Sequence, residues 1–224
     1  MIGTLVNTGT VLAGSFLGVA VGRRLPERIK GILMQALGLS VILIGMQMAM
    51  SGKRILFTIG CVVLGGLTGE IIGIENWLER LGNWLKGIFR SSSASFVEGF
   101  VSASLLYLVG AMTIVGCIQD GISNDPNTLY VKSMLDGVAS IALASSLGVG
   151  VAFSALSVLI VQGGLTVAAS KLAFLQGATV LEAVTSTGGL LILAIGINLL
   201  NLTKIRTGNL LPAIVYAVVG AVII

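Results

Sequence analysis

The sequence predicts an all-α fold: a polytopic helical membrane protein with about eight transmembrane helices. Of its 224 residues, 55% are hydrophobic and only 10% are charged, and the mean hydropathy is +1.05. Average proteins carry roughly 25% charged residues, so this chain cannot cover a globule with a solvated surface. Its apolar and polar residues do not alternate as they do in the strands of an outer-membrane barrel. A helical bundle is expected because a helix satisfies its own backbone hydrogen bonds in lipid.

The spans are nearly uncharged runs of about 20 residues, the length that crosses a hydrocarbon core. Residues 1–22 form the first span, and basic residues follow it, whereas a cleavable signal peptide carries them in front. The stretch 131–170 is too long for one span, so we divide it near Gly148-Val149-Gly150 into a hairpin of helices five and six. The other spans are predicted at 31–52, 55–73, 97–118, 183–203 and 208–224.

The basic residues predict the orientation of these spans. An eight-span topology places nine of them on one side: Arg23, Arg24, Arg28, Lys30, Arg80, Lys86, Arg90, Lys204 and Arg206. The other side holds four: Lys53, Arg54, Lys132 and Lys171. Cytoplasmic loops carry the excess of Lys and Arg, so both termini are expected outside. The formal charge of +4 therefore reflects topology rather than a nucleic-acid surface.

Residues 75–90 predict an amphipathic helix that lies in the cytoplasmic interface. Apolar residues recur there at helical spacing, and both tryptophans of the protein, Trp77 and Trp84, belong to that face. Such a helix is typical of a lipid surface, and a partner-binding helix is the alternative. The serine-rich residues 91–95 then form a short connector.

The composition excludes several chemistries. The chain contains no histidine, which rules out Ser-His and Cys-His catalysis and histidine-ligated metals. Its two cysteines, Cys61 and Cys117, lie far apart in apolar runs and form neither a metal motif nor a disulfide framework. We therefore expect no enzyme activity, no cofactor and no metal site.

Weak internal similarity predicts an inverted repeat. The segment Gly38-Leu-Ser-Val-Ile-Leu-Ile-Gly45-Met-Gln47 resembles Gly189-Leu-Leu-Ile-Leu-Ala-Ile-Gly196-Ile-Asn198, and 6–11 can be aligned with 161–167. Helices one to three would then match helices six to eight in opposite orientation, as in many secondary transporters. Within one transmembrane domain, 1–224, the units are 1–73 and 151–224, with the interfacial helix and connector at 74–95 and a central helix pair at 96–150. Chance similarity between apolar segments is the alternative.

Several motifs resemble the YqgA-like family of bacterial inner-membrane proteins, whose function is unknown. They are Gly3-Thr-Leu-Val-Asn7, Val109-Gly-Ala-Met-Thr-Ile-Val-Gly116, Lys132-Ser-Met-Leu-Asp136-Gly137 and Ser146-Leu-Gly-Val-Gly-Val-Ala-Phe-Ser154, followed by Gln162-Gly163. The resemblance covers essentially the whole chain. It implies a location in the inner membrane and points to transport, but it brings no substrate and no catalytic residue.

Glycine accounts for 31 residues, about double the usual share of roughly 7%. Gly14, Gly18 and Gly22 are four apart, as are Gly65, Gly69 and Gly73, and such spacing lets helices pack closely in lipid. The doublets Gly65-Gly66, Gly163-Gly164 and Gly188-Gly189 either serve packing or interrupt their helices and free backbone groups for a ligand.

The polar residues within spans predict a site where helices one and six cross. The candidate substrate-binding residues are Asn7, Thr8, Thr10, Gln47, Gln162, Gly163, Gly164 and Asn198. Asp136 and Glu98 are the candidates for a coupling ion or proton, since a charge inside a span is costly and usually functional. The alternatives are interhelical hydrogen bonding by the carboxamides, a pair between Asp136 and Lys132, and ordinary interfacial charges at Glu98, Glu70 and Asp120.

These residues favour a secondary transporter of a small polar solute or ion. A structural or regulatory membrane protein without transport activity is the alternative, and it predicts a straight, dry bundle. The expected partners are the lipid bilayer and a small polar solute or cation, with no nucleic acid; a homo-oligomer is left open.

Overall fold

The computed structural model describes residues 1–88 and 95–223, apart from the side chains of Glu27 and Ala111. These residues form helices and connecting turns and contain no strand, so the predicted all-α fold is confirmed. The helices are α1 (Ile2–Gly22), α2 (Glu27–Met50), α3 (Ile55–Ile72), α4 (Ile74–Ile88), α5 (Phe96–Leu108), α6 (Ala111–Ile122), α7 (Asn127–Leu147), α8 (Gly150–Val167), α9 (Ala178–Leu199) and α10 (Pro212–Ile223).

Five of the described helices are long and apolar enough to cross a membrane. They are α1, α2 from Arg28, α3, α8 and α9, and a sixth span results if the bent pair α5–α6 is counted as one. Helices α7 and α10 occupy the places predicted for spans five and eight but do not belong to this set. The chain is a polytopic helical membrane protein, and the eight-span count stays a prediction.

The predicted fourth span, 97–118, is not one continuous helix. The chain bends by 63° between α5 and α6. Gly110 at the break has φ +146°, which L side chains rarely adopt. The apolar run around it carries no charge or proline, so its composition gave no sign of the break.

The three glycine doublets do not interrupt their helices. Gly65-Gly66 lies within α3, Gly163-Gly164 within α8 and Gly188-Gly189 within α9, each of which continues through the pair. Of the two alternatives given for these doublets, interruption of the helix is therefore the one that is wrong. Close packing explains Gly65 and Gly189, because an added Cβ would collide with the backbone of Ala213 or Ala49.

The chain divides into two compact units by packing. Unit one consists of Met1–Met34, Leu81–Leu108 and Met112–Phe174, and unit two of Gln35–Arg80, Val109–Ala111 and Leu175–Ile224. These units group the residues that pack together, whereas the predicted units 1–73 and 151–224 group the residues that belong to each copy of the proposed repeat. The repeat boundaries stay a prediction.

In unit one, α1 packs along α7 in the same direction. An added Cβ on Gly14, Gly18 or Gly22 would strike the carbonyl oxygen of Gly137, Ile141 or Ser145, respectively. The contacts advance by four residues on both helices, which is the signature of a parallel pair of close-packed helices. The predicted packing role of these three glycines is confirmed.

In unit two, glycines hold two antiparallel pairs together. Gly38 and Gly45 of α2 face Gly196 and Gly189 of α9, in reverse order along the chain. On α3, Gly65 and Gly69 lie against Ala213 and Asn209, also in reverse order. Gly73, which follows Gly65 and Gly69 at the same spacing of four, has another role: its φ of +74° lets it cap α3 in the left-handed conformation.

Helix α4 has the predicted amphipathic form over Ile74–Ile88, and residues 89–90 lie outside the described part. Trp77 and Trp84 are exposed, and Leu85 is buried. The first turn is fixed at Glu75: its N–H donates to Asn209 Oδ1 at 2.7 Å, and its carboxylate accepts from the Gly208 N–H at 2.6 Å. Of the predicted connector, only Ser95 is described.

Candidate functional site

Four buried polar residues of unit one meet where α1, α7 and α8 pack together. We call them the polar cluster: Asn7, Lys132, Asp136 and Gln162. Asn7 Nδ2 donates to Asp136 Oδ2 at 2.9 Å and lies 3.3 Å from Gln162 Oε1. Lys132 Nζ lies 2.6 Å from Asp136 Oδ2, in an i,i+4 ion pair on α7. Three of the four were predicted site residues, and the predicted alternative of a Lys132–Asp136 pair is what the structure contains.

The packing of α1 explains how these side chains come together. The glycine contacts bring α1 close to α7, so that Asn7 reaches Asp136 across the interface. Helix α8 crosses the other side of α1 in the antiparallel direction, and Thr4 Oγ1 lies 3.3 Å from Thr166 Oγ1, one turn beyond Gln162. Asn7 and Gln162 are 0% exposed, and Lys132 and Asp136 are 6% and 7% exposed.

Two polar atoms of the cluster have no hydrogen-bond partner among the described residues. They are Asn7 Oδ1 and Gln162 Nε2. The orientation of the Asn7 amide follows from its neighbours, because its NH₂ group must face the carboxylate of Asp136 and the carbonyl of Gln162. The cluster therefore keeps one acceptor and one donor available.

Further polar contacts extend from the cluster in two directions. Toward the start of α1, the buried carboxylate of Asp120 accepts from the Gly3 N–H at 3.2 Å. On the other side, Ser140 Oγ donates to the Asp136 carbonyl at 2.7 Å and lies 2.8 Å from the hydroxyl of Tyr107. Sequence reasoning treated Asp120 as an interfacial charge, but it is 3% exposed.

A groove of about 1110 Å³ runs along α1, α7 and α8 in unit one. Thr8, next to Asn7, lies at one end of it, and Arg23 and Lys30 lie at the other. Between them the lining is mostly apolar and includes Leu12, Phe16, Val19, Leu156 and Leu159. The groove therefore extends from a basic end to the residue beside the polar cluster.

The remaining predicted site residues lie in several places. Thr8 and Thr10 donate to backbone carbonyls of α1, at Thr4 and Asn7. Gly163 is buried beside Gln162, Gly164 is exposed on α8, and Glu98 is exposed in the first turn of α5. In unit two, Gln47 is exposed, and Asn198 uses both amide atoms on the backbone of Ile205, at 2.8 and 2.7 Å. Asn198 thus fixes the turn after α9.

Comparison with known proteins places the chain in a family. Residues 2–222 match the family described as "Protein of unknown function (DUF554)". The chain belongs to this family. It is 32% identical over 218 residues to "Uncharacterized membrane protein YdfK" of Bacillus subtilis (strain 168), covering 96% of this chain and 93% of that protein. It is 30% identical over 222 residues to "Uncharacterized protein YqgA" of Escherichia coli (strain K12), covering 97% and 94%.

No solved structure matches the chain. The resemblance predicted from the motifs of α1, α6, α7 and α8 is confirmed by these relatives. All four residues of the polar cluster belong to the motifs that carry this resemblance.

Proposed function

We propose that this protein is a secondary transporter of a small polar solute or ion, with its site at the crossing of α1 and α8. Two buried polar atoms that find no hydrogen-bond partner in the described part of the chain, Asn7 Oδ1 and Gln162 Nε2, carry the proposal. A buried polar group without a hydrogen bond costs roughly 1–3 kcal/mol in protein mutational data. A solute that offers both a donor and an acceptor would satisfy these atoms.

The charge in the cluster supports a coupling role for Asp136. Ionisable groups inside spans are costly and mark ion and proton pathways. Asp136 shares its Oδ2 between Lys132 and Asn7, so a proton or cation on this carboxylate would compete with the ion pair. Binding of the coupling ion would then release Lys132 and change how the Asn7 amide is held. We assign coupling to Asp136 rather than to the exposed Glu98.

The packing of equivalent helices supports the inverted repeat. The predicted equivalents are α1 with α8, α2 with α9 and α3 with α10, and each of these pairs packs antiparallel within its unit. Gly38 and Gly45 meet Gly196 and Gly189 reciprocally, as residues related by a local two-fold axis would. Asn7 likewise meets its proposed equivalent, Gln162. Transporter sites commonly lie where two such copies meet.

The orientation and location belong to the same proposal. With nine basic residues on one side and four on the other, both termini face outward from a bacterial inner membrane. A cysteine-accessibility experiment tests this orientation: Ser51→Cys, in the turn after α2, should react with an impermeant reagent added to whole cells, and Lys204→Cys should not.

Proteoliposomes test the transport proposal. Charge movement is recorded on a solid-supported membrane while amino acids, small carboxylates, sugars, Na⁺ and K⁺ are applied in turn, with and without a pH gradient. A solute-dependent current in the wild type should disappear in Gln162→Ala and Asp136→Ala. Gln35→Ala removes an exposed carboxamide from α2 that is not among the predicted site residues, and it is the matched control. Unchanged currents in both cluster variants would place the site elsewhere.

A structural or regulatory protein without transport is the second candidate. Two observations favour it: α8 runs unbroken through Gln162, and Lys132 already neutralises Asp136. On this view the cluster only joins α1, α7 and α8. No solute or ion would then give a current in any variant, and the cluster variants would change stability alone.

A further inference from the structure

We propose that the groove of unit one binds an anionic phospholipid, with its phosphate at Arg23 and Lys30 and an acyl chain along α1 and α8. The inference is independent of the transported solute, because it concerns the groove beyond Thr8 rather than the polar cluster.

The apolar part of the groove has the chemistry and length of an acyl-chain site. Its lining includes Leu12 and Phe16 of α1 and Leu156 and Leu159 of α8, all of them exposed. Both helices are membrane spans, so the open side of the groove faces hydrocarbon. From Thr8 to Arg23 the helix rises about 22 Å at about 1.5 Å per residue. That distance is more than half of a hydrocarbon core about 30 Å thick, so it accommodates an acyl chain of one leaflet.

The other end of the groove has the chemistry of a phosphate site. Arg23 directly follows α1, Lys30 lies in the first turn of α2, and the described lining contains no acidic residue. Ser146 also lines this region, and its buried Oγ has no hydrogen-bond partner among the described residues. Helix α8 begins beside it at Gly150, and the preceding residue, Val149, makes no side-chain cap hydrogen bond. Helix N-termini favour anions, and arginine and lysine bind phosphate oxygens.

The basic end and the long apolar part of the groove together favour a lipid over a free anion or a polar solute. A small anion would use only the basic end and leave the long apolar part without an occupant. A polar solute along the groove would lose its hydration opposite Leu12, Phe16 and Leu156 without gaining hydrogen bonds. An anionic lipid matches both parts at once, and a basic cluster at the cytoplasmic end of a span is the usual recognition element for its headgroup.

Native mass spectrometry of the delipidated protein in detergent tests the site. The probes are dioleoyl-phosphatidylglycerol, dioleoyl-phosphatidylcholine and inorganic phosphate, each at the same concentration. The wild type should retain the phosphatidylglycerol at least five-fold more than the phosphatidylcholine, with no resolved phosphate adduct. Arg23→Gln should remove most of this preference, while Arg24→Gln, which changes the neighbouring arginine outside the groove lining, should keep it.

A second pair of variants tests the acyl-chain part. Leu156→Trp fills the groove, whereas Ile160→Trp places the same side chain on an exposed position of α8 outside the lining. Phosphatidylglycerol retention should fall several-fold in the first variant only. Equal retention of the two lipids, equal effects of Arg23→Gln and Arg24→Gln, or equal effects of the two tryptophans would overturn the proposal. Retention of phosphate as strong as that of the lipid would also overturn it, since the site would then bind anions without their acyl chains.

Discussion

The two units use the same antiparallel arrangement with different contacts. In unit two, α2 and α9 meet through glycines, and backbone lies against backbone at Gly45 and Gly189. In unit one, α1 and α8 meet through side chains, with Asn7 against Gln162. The glycine interface needs no polar group, so carboxamides are not required to hold such a pair together in this protein.

The carboxamides themselves also differ between the units. In unit two, Asn198 uses both amide atoms on Ile205, and Asn209 uses both on Glu75 and Glu70. In unit one, Asn7 and Gln162 each keep one amide atom that no described residue satisfies. Satisfied carboxamides are structural elements, whereas buried unsatisfied ones reduce stability unless something binds them. This difference is the reason for placing the site in unit one.

The largest effect is expected from breaking the buried ion pair. Lys132→Met leaves the carboxylate of Asp136 without its cation, and removing one partner of a buried pair typically costs about 3–5 kcal/mol. The double variant Lys132→Met/Asp136→Leu removes both charges and should recover much of that loss. Chemical unfolding in mixed micelles measures both. Additive losses in the double variant would show that the two charges do not depend on each other.

The next effect concerns the glycine interface of unit two. Gly45→Ala places a Cβ against the backbone of Leu193 and Gly189, and overpacking of this kind costs about 1–3 kcal/mol. Gly31→Ala lies on the same helix, and outside the backbone of that helix no described atom comes within 4 Å of the added Cβ, so this variant should be neutral or slightly stabilising. Equal thermal stability of the two variants would mean that α2 and α9 do not pack backbone against backbone at Gly45.

A smaller effect separates the two kinds of carboxamide. Asn198→Leu leaves the backbone N–H and C=O of Ile205 without their partners and should cost about 1–2 kcal/mol. Gln162→Leu removes the 3.3 Å hydrogen bond from Asn7 Nδ2 to Gln162 Oε1, and it also removes Nε2, a donor that no described residue satisfies. Its cost in the free energy of unfolding should therefore be below about 1 kcal/mol. Unfolding midpoints of the two variants give the comparison. If Gln162→Leu is the more destabilising, the structural alternative gains support.

Sequence reasoning placed most helices and three members of the polar cluster, for physical reasons. Apolar length and charge position determine spans, and a polar residue inside a span is conspicuous because it is costly. The break at Gly110 was missed because an uncharged apolar run looks the same whether it is straight or bent. Asn198 and Gln162 are both carboxamides within predicted spans, so the sequence does not distinguish them. The structure does: the backbone of Ile205 satisfies Asn198, whereas Gln162 Nε2 has no partner among the described residues.

The smallest effect is a pH dependence at the start of α4, outside the spans. Burial raises the pKa of the Glu75 carboxyl, and the hydrogen bond from the Gly208 N–H opposes this only in part. The folded protein therefore takes up this proton at a higher pH than the unfolded chain does. As the pH falls through the raised pKa toward the ordinary value of about 4.3, the wild type should gain stability relative to Glu75→Gln, which cannot titrate there. Thermal unfolding of both proteins between pH 7 and pH 4 measures the difference. A difference that shrinks on acidification would mean that the charged form of Glu75 is the one that stabilises the start of α4.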